Sequence, residues 1–138
     1  MTTTATAPTL TPAVRDAIAV GRAVERILER ASTLRVAAVL VLDEVALHPG
    51  ITHAPLGDAV GLAAGTMTGV MTRLVRDGLV TAELEEKNPK GPARTHFTIT
   101  PKGEAALQKI RPAVLKITAM LDYSLKLSEI LSGLEQLR

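Results

Sequence analysis

Between Thr11 and about Ala31, apolar residues return every three or four positions: Val14, Ala17, Ile18, Val20, Val24, Ile27 and Leu28, with Arg15, Arg22, Glu25, Arg26, Glu29 and Arg30 mostly between them. That period is helical, so the segment is predicted as an amphipathic helix. Thr11 and Pro12 supply good start chemistry, an N-cap hydroxyl and then a proline whose missing N–H would have been unpaired in the first turn anyway. From about Thr33 to Leu47 the stripe widens. The run VAAVLVL at 36–42 is apolar on nearly every side, which predicts a second helix at the centre of the fold, ended by His48, Pro49 and Gly50.

The stretch LGDAVGLAAGTMTGVMTRLVRDGLV, residues 56–80, keeps helical spacing but carries a glycine at every fourth position from Gly57 to Gly69. The pattern resolves into two helices. Thr52 is an N-cap for a short helix through about Val60, with Leu56, Ala59 and Val60 inward, and Gly61 suits a left-handed C-terminal cap. After a tight turn, a second helix from about Gly65 to Asp77 places Met67, Val70, Met71 and Leu74 inward and Thr66, Thr68, Gly69, Thr72, Arg73 and Arg76 outward. Gly78 ends it. A short helix, a tight turn and a second helix make a helix-turn-helix. Each interior glycine costs roughly 1 kcal/mol against alanine, so Gly57 and Gly69 call for a reason. Gly57 reads as close packing against the second helix. Gly69 reads either as a place where the backbone approaches a ligand or as a tolerated surface residue.

Beyond Gly78 the period drops to two: Val80, Ala82 and Leu84 alternate with Thr81, Glu83 and Glu85, a strand. KNPKGPAR at 87–94 is a turn-rich tip with three cations and no acid. A second alternation then sets Thr95, Phe97 and Ile99 on one face and Arg94, His96 and Thr98 on the other, which completes a β-hairpin. Thr100 and Pro101 restart a helix as Thr11 and Pro12 do. Leu107, Ile110, Val114, Ile117 and Leu121 then form a heptad-like seam that fails at Ser124 and Ser128, while Leu127, Ile130, Leu131, Leu134 and Leu137 start another. A break near Asp122 to Ser124 is expected, with the terminal leucine-rich stripe making an intersubunit contact.

Composition narrows the function. With no cysteine, thiolate metal sites and disulfides are excluded, and His96 lies far in sequence from His48 and His53. No nucleophile–base set, metal-ligand cluster or phosphate loop stands at useful spacing, so neither catalytic residues nor a cofactor is expected. The two aromatics, Phe97 and Tyr123, are too few for a base-stacking platform on single-stranded nucleic acid. No apolar run is long enough to span a bilayer and MTTTATAPTLT lacks signal-peptide features, so a cytoplasmic protein with a disordered start at residues 1–10 is expected. A net charge of +2 decides little alone; the distribution of charge carries more.

MTRLVRDGLV at 71–80, followed after the hairpin by FTITPKGEAAL at 97–107, resembles the MarR family of multiple-antibiotic-resistance regulators. The similarity covers roughly Thr33 to Leu107. It implies a mainly α winged helix-turn-helix with a two-stranded β wing and N- and C-terminal dimerisation helices. On that plan residues 11–138 form one winged-helix domain, with 11–31 and 104–138 dimerising and 32–103 binding DNA. Members of the family are typically homodimeric bacterial or archaeal transcription factors, often repressors, that bind palindromic operators and are frequently released by small-molecule effectors. The chain departs from the family where an acidic residue and an arginine usually precede the second wing strand, since Gly91 and Ala93 stand there, and GPART leading into ITPKG is also similar to PadR-family wings. Thr66, Thr68, Gly69, Thr72, Arg73 and Arg76 are the expected recognition-helix contacts with double-stranded DNA, arginine pairing with guanine and threonine meeting phosphates, base edges or a thymine methyl. Lys87, Lys90, Arg94 and His96 are the expected wing contacts, and Thr52 with His53 the expected backbone contacts at the first motif helix. A DNA-coating architectural or segregation protein and a protein-interaction winged helix are the alternatives.

Overall fold

The computed structural model describes residues 9–85, 91 and 93–136, leaving the side chains of 124–128 outside the description. Five helices and three strands follow in the order α1 (Pro12–Ala31), α2 (Val36–Leu47), β1 (Ile51–Thr52), α3 (His53–Val60), α4 (Ala64–Arg76), β2 (Val80–Leu84), β3 (Thr95–Ile99) and α5 (Pro101–Gln136). The predicted start of α1 is present: the Thr11 hydroxyl accepts a hydrogen bond from the Val14 N–H at 3.2 Å. The all-apolar α2 lies at the centre, packed by α1, α3, α4, α5 and β3. Val41, Leu42 and Val45 join Leu56 of α3, Met67, Met71 and Leu74 of α4, and Leu79, Val80 and Phe97 in one buried core.

The wing is a three-stranded sheet in the order β1-β3-β2, where the sequence predicted two strands. Ile51 and Thr52 pair antiparallel with Phe97 and His96, and the Gly50 N–H donates to the Phe97 carbonyl at 2.8 Å. Two residues are too short a run to show alternation, and β1 exists because β3 offers it a free edge. β2 and β3 pair from Val80↔Ile99 to Leu84↔Thr95, as a hairpin requires. Only Val80 of the β2 apolar set is buried; Leu84 is 68% exposed, because the hairpin extends past the core.

α5 is one helix of 36 residues, so the expected break near Asp122 to Ser124 is corrected. No glycine or proline stands at the seam's end, and a shift of apolar face needs no backbone break. Pro112 lies inside the helix, where it has no N–H to offer the Gln108 carbonyl. Its first turns cross the start of β2 closely at Gly103. A Cβ there would run into the Leu79 carbonyl oxygen and stand 2.7 Å from Ile99 Cγ1.

Candidate nucleic-acid interface

α3 and α4 are joined by Gly61, Leu62 and Ala63. Gly61 has φ +69°, and both its N–H and that of Leu62 return to the Gly57 carbonyl, which closes α3 sharply. The other end of α4 is fixed as firmly. Gly78 at φ +75° lets its own N–H reach the Val75 carbonyl and that of Leu79 reach the Leu74 carbonyl, the paired bonds of a Schellman motif. Lys102 Nζ adds a 2.8 Å bond to the Asp77 carbonyl. α4 is thus a helix about 20 Å long held at both ends.

Its two faces divide as predicted. Met67, Met71 and Leu74 are buried, while Thr66, Thr68, Gly69, Thr72, Arg73 and Arg76 are all exposed. The structure therefore brings all six expected recognition residues onto one surface. At 100° per residue, Gly65, Gly69, Thr72 and Arg76 form its outermost strip. A Cβ added at Gly65 or Gly69 would meet nothing within 4 Å. The fold itself gives no steric reason for glycine at either position, and their effect is to lower the crest of the helix so that a surface can approach its backbone. Gly57 differs: its Cβ would stand 3.6 Å from Met67 Cγ, so the expected close packing on α4 is present but leaves room for alanine.

The threonines have defined roles. Thr68 Oγ1 donates to the Ala64 carbonyl at 3.0 Å and Thr72 Oγ1 to the Thr68 carbonyl at 2.7 Å. With their hydrogens turned inward, both present oxygen lone pairs and a methyl outward. They can accept from a base amino group or touch a thymine methyl, whereas donation to a phosphate needs a different rotamer. Arg76 Nε stands 3.4 Å from Asp77 Oδ1, an exposed pair that costs little to exchange.

Around α4, the other expected contacts are placed unevenly. His53 opens α3 with Nε2 3.5 Å from Thr68 Oγ1, beside the exposed face of α4. Thr52 is the N-cap residue of α3 as predicted, but its hydroxyl makes no capping bond; its backbone is engaged in β1. His96 is half-buried, its Nδ1 2.8 Å from the Gly50 carbonyl and its Nε2 3.9 Å from Glu85 Oε1. His96 thus lies on the face opposite buried Phe97, as the alternation predicts, and its side chain ties β3 to the turn before β1. Glu85 is half-buried, and its Oε2 has no hydrogen-bond partner among the described residues. Arg94 is exposed at the outer end of the hairpin, where its carbonyl accepts from the Glu85 N–H at 2.9 Å. Lys87 and Lys90 lie outside the described residues. Among the described residues, no group of three or more histidine, cysteine, aspartate or glutamate side chains is placed to hold a metal ion.

A helix-turn-helix followed by a β-hairpin that pairs back to the chain before the motif defines a winged-helix protein. Its architecture is MarR-like, shared along nearly the whole chain with solved transcriptional regulators. PcaV from Streptomyces coelicolor, in complex with its natural ligand, superposes with a TM-score of 0.72 at 17% identity over 96% of this chain and 98% of its own. MarR from E. coli, a mutant complexed with operator DNA, gives 0.67 at 21% identity over 83% and 91%. MosR from M. tuberculosis, in complex with DNA, gives 0.63 at 25% identity over 88% and 89%. No protein-family model matches the chain, and no curated protein does.

Proposed function

We propose that the protein is a homodimeric, sequence-specific reader of double-stranded DNA that regulates transcription, most simply as a repressor that occludes its operator. The observation that carries this reading is the outer face of α4. Two glycines without a packing role lie among threonines and arginines on a helix fixed at both ends, directly after a helix-turn-helix turn. Such a surface suits the major groove, where Arg73 and Arg76 would pair with guanine edges or phosphates and Thr66, Thr68 and Thr72 with base edges. Lys87, Lys90 and Arg94 of the wing would add sequence-independent phosphate contacts, with His53 flanking α4. The complexes of MarR and MosR with DNA support the reading by fold analogy, and the PcaV complex with its natural ligand supports a small-molecule effector.

The dimer would be formed by residues 11–31 and 104–138 around the core at 32–103. Val14 and Ile18 of α1 and Ile130, Leu131 and Leu134 of α5 are exposed and apolar, and a second copy would bury them. The protein would act on genomic DNA in the cytoplasm of a bacterial or archaeal cell.

The test is a binding selection on genomic fragments with purified protein at near-physiological salt. Retention of one inverted repeat is the expected result; uniform retention would instead indicate DNA coating, and no retention would remove DNA as the partner. On the selected repeat, Arg73→Ala should cost about 1–3 kcal/mol and relax preference at one base pair. Replacing Lys87 and Lys90 together by alanine should weaken every duplex alike and flatten the salt dependence. Quantitative gel-shift titrations on matched and scrambled duplexes separate the two effects.

A further inference from the structure

Arg35 is the only charged residue between Arg30 and Asp43, and it directly precedes the all-apolar α2. The fold carries it to α4. Arg35, Arg73 and Arg76 line a single cleft of about 320 Å³ between α2 and α4, with Ala37, Ala38, Val70 and Leu74 as apolar lining. Its one acid, Asp77, is beside Arg76 at 3.4 Å. Among the described residues, no carboxylate lies within 4 Å of the guanidinium of Arg35 or Arg73. Both side chains are exposed, so the cleft holds positive charge that no described carboxylate neutralises.

Its position relative to α4 gives that charge a partner. Thr68 and Arg73 stand about 140° apart around the helix, so they mark its two flanks, with Gly69, Thr72 and Arg76 between them. His53 of α3 meets the Thr68 flank. Arg35 meets the Arg73 flank. A helix with its side chains is about 10–12 Å across and the B-DNA major groove about 12 Å wide, so a helix seated there has one phosphate strand beside each flank. On the reading of α4 as a DNA-recognition helix, we infer that Arg35 binds phosphates of the strand on the α2 side. It would grip the backbone opposite the one that α3 faces, while Arg73 reaches inward from the same side to the bases.

Such a contact is independent of base sequence and carries one unit of counterion release. The experiment compares wild type, Arg35→Ala and Arg35→Lys on the selected operator and on an unrelated duplex across a salt series. It includes operators in which single phosphates are replaced by neutral methylphosphonates. The expected result for Arg35→Ala is weaker binding to both duplexes and a log K against log salt slope smaller by about one. Between about 50 and 200 mM salt the affinity loss should then be about threefold less than for wild type. Arg35→Lys should keep the wild-type slope, which rules out misfolding as the cause. A methylphosphonate that weakens wild type on the α2-side strand should have no effect on Arg35→Ala. Wild-type affinity and slope in Arg35→Ala would overturn the inference and leave the α4 reading standing, as would a loss confined to the operator with an unchanged slope. Absence of duplex binding by the wild type would overturn both.

Discussion

An alanine at position 103 would drive its Cβ into the Leu79 carbonyl oxygen, which is held by the Thr100 N–H, and against Ile99 of β3. Neither neighbour is the far end of a flexible side chain, so the helix or the sheet must shift. Overpacking of this kind costs typically about 1–3 kcal/mol, and Gly103→Ala should lower the urea midpoint accordingly without changing the far-UV circular dichroism of the folded state. Gly69 should behave oppositely. Its added Cβ meets open space, and a helix interior gains up to about 1 kcal/mol from glycine to alanine, so Gly69→Ala should raise the midpoint while weakening operator binding. A variant more stable and equally tight in binding would show that the glycine is only a tolerated surface residue. The two positions look alike in sequence, each a glycine inside a helical segment. What separates them is a neighbour 24 residues earlier in the chain at Leu79, which no local pattern contains.

Among the elements, caps were the most legible feature. Thr100 shows why: its hydroxyl accepts from the Gly103 N–H at 3.0 Å, the N-cap bond predicted from Thr-Pro, but it also donates to the Gly78 carbonyl at 2.7 Å. The second bond joins the start of α5 to the end of α4 and lies beyond local prediction. Thr100→Val should therefore cost somewhat more than the roughly 1 kcal/mol of an ordinary N-cap loss, measured by chemical unfolding. The Thr52 hydroxyl, an equally good cap by sequence, makes no such bond. The backbone at Thr52 is held by β3, and strand pairing sets the entry to α3 instead. The same competition explains β1 itself, since its two residues gain their strand conformation from the partner edge and not from their own periodicity. In α5 the difference is of the other kind. The apolar stripe moves from Ile110 and Ile117, buried against the rest of the chain, to Ile130 and Leu134, exposed, and a stripe can change face without a break in the backbone.

On the scale of the whole molecule, the apolar surface is divided between a closed core and an open end. The winged-helix core buries its large side chains. α1 has no fully buried residue at all, and Ile130 and Leu134 on the last turns of α5 are 59% and 57% exposed. Surface of that kind gains roughly 25 cal/mol per Å² when a partner covers it. On the proposed dimer, Ile130→Glu combined with Leu134→Glu should thus leave the core folded but shift sedimentation equilibrium from dimer to monomer. Operator affinity should fall with it, because two linked half-sites bind far more tightly than one. A double variant that sediments as wild type would place the dimer contact elsewhere.

Periodicity and turn chemistry by themselves determined the order of helices, the helix-turn-helix, the hairpin and the exposed face of α4, because each depends on residues within a few positions of one another. The tertiary structure alone decided the third strand, the tether of His96 to Gly50, the necessity of Gly103 and the placing of Arg35 in one cleft with Arg73 and Arg76. Each of these is a contact between segments distant in the chain. A single sequence records which side chains are available, whereas the packing of α2 against α4 and of β1 against β3 fixes which of them share a surface.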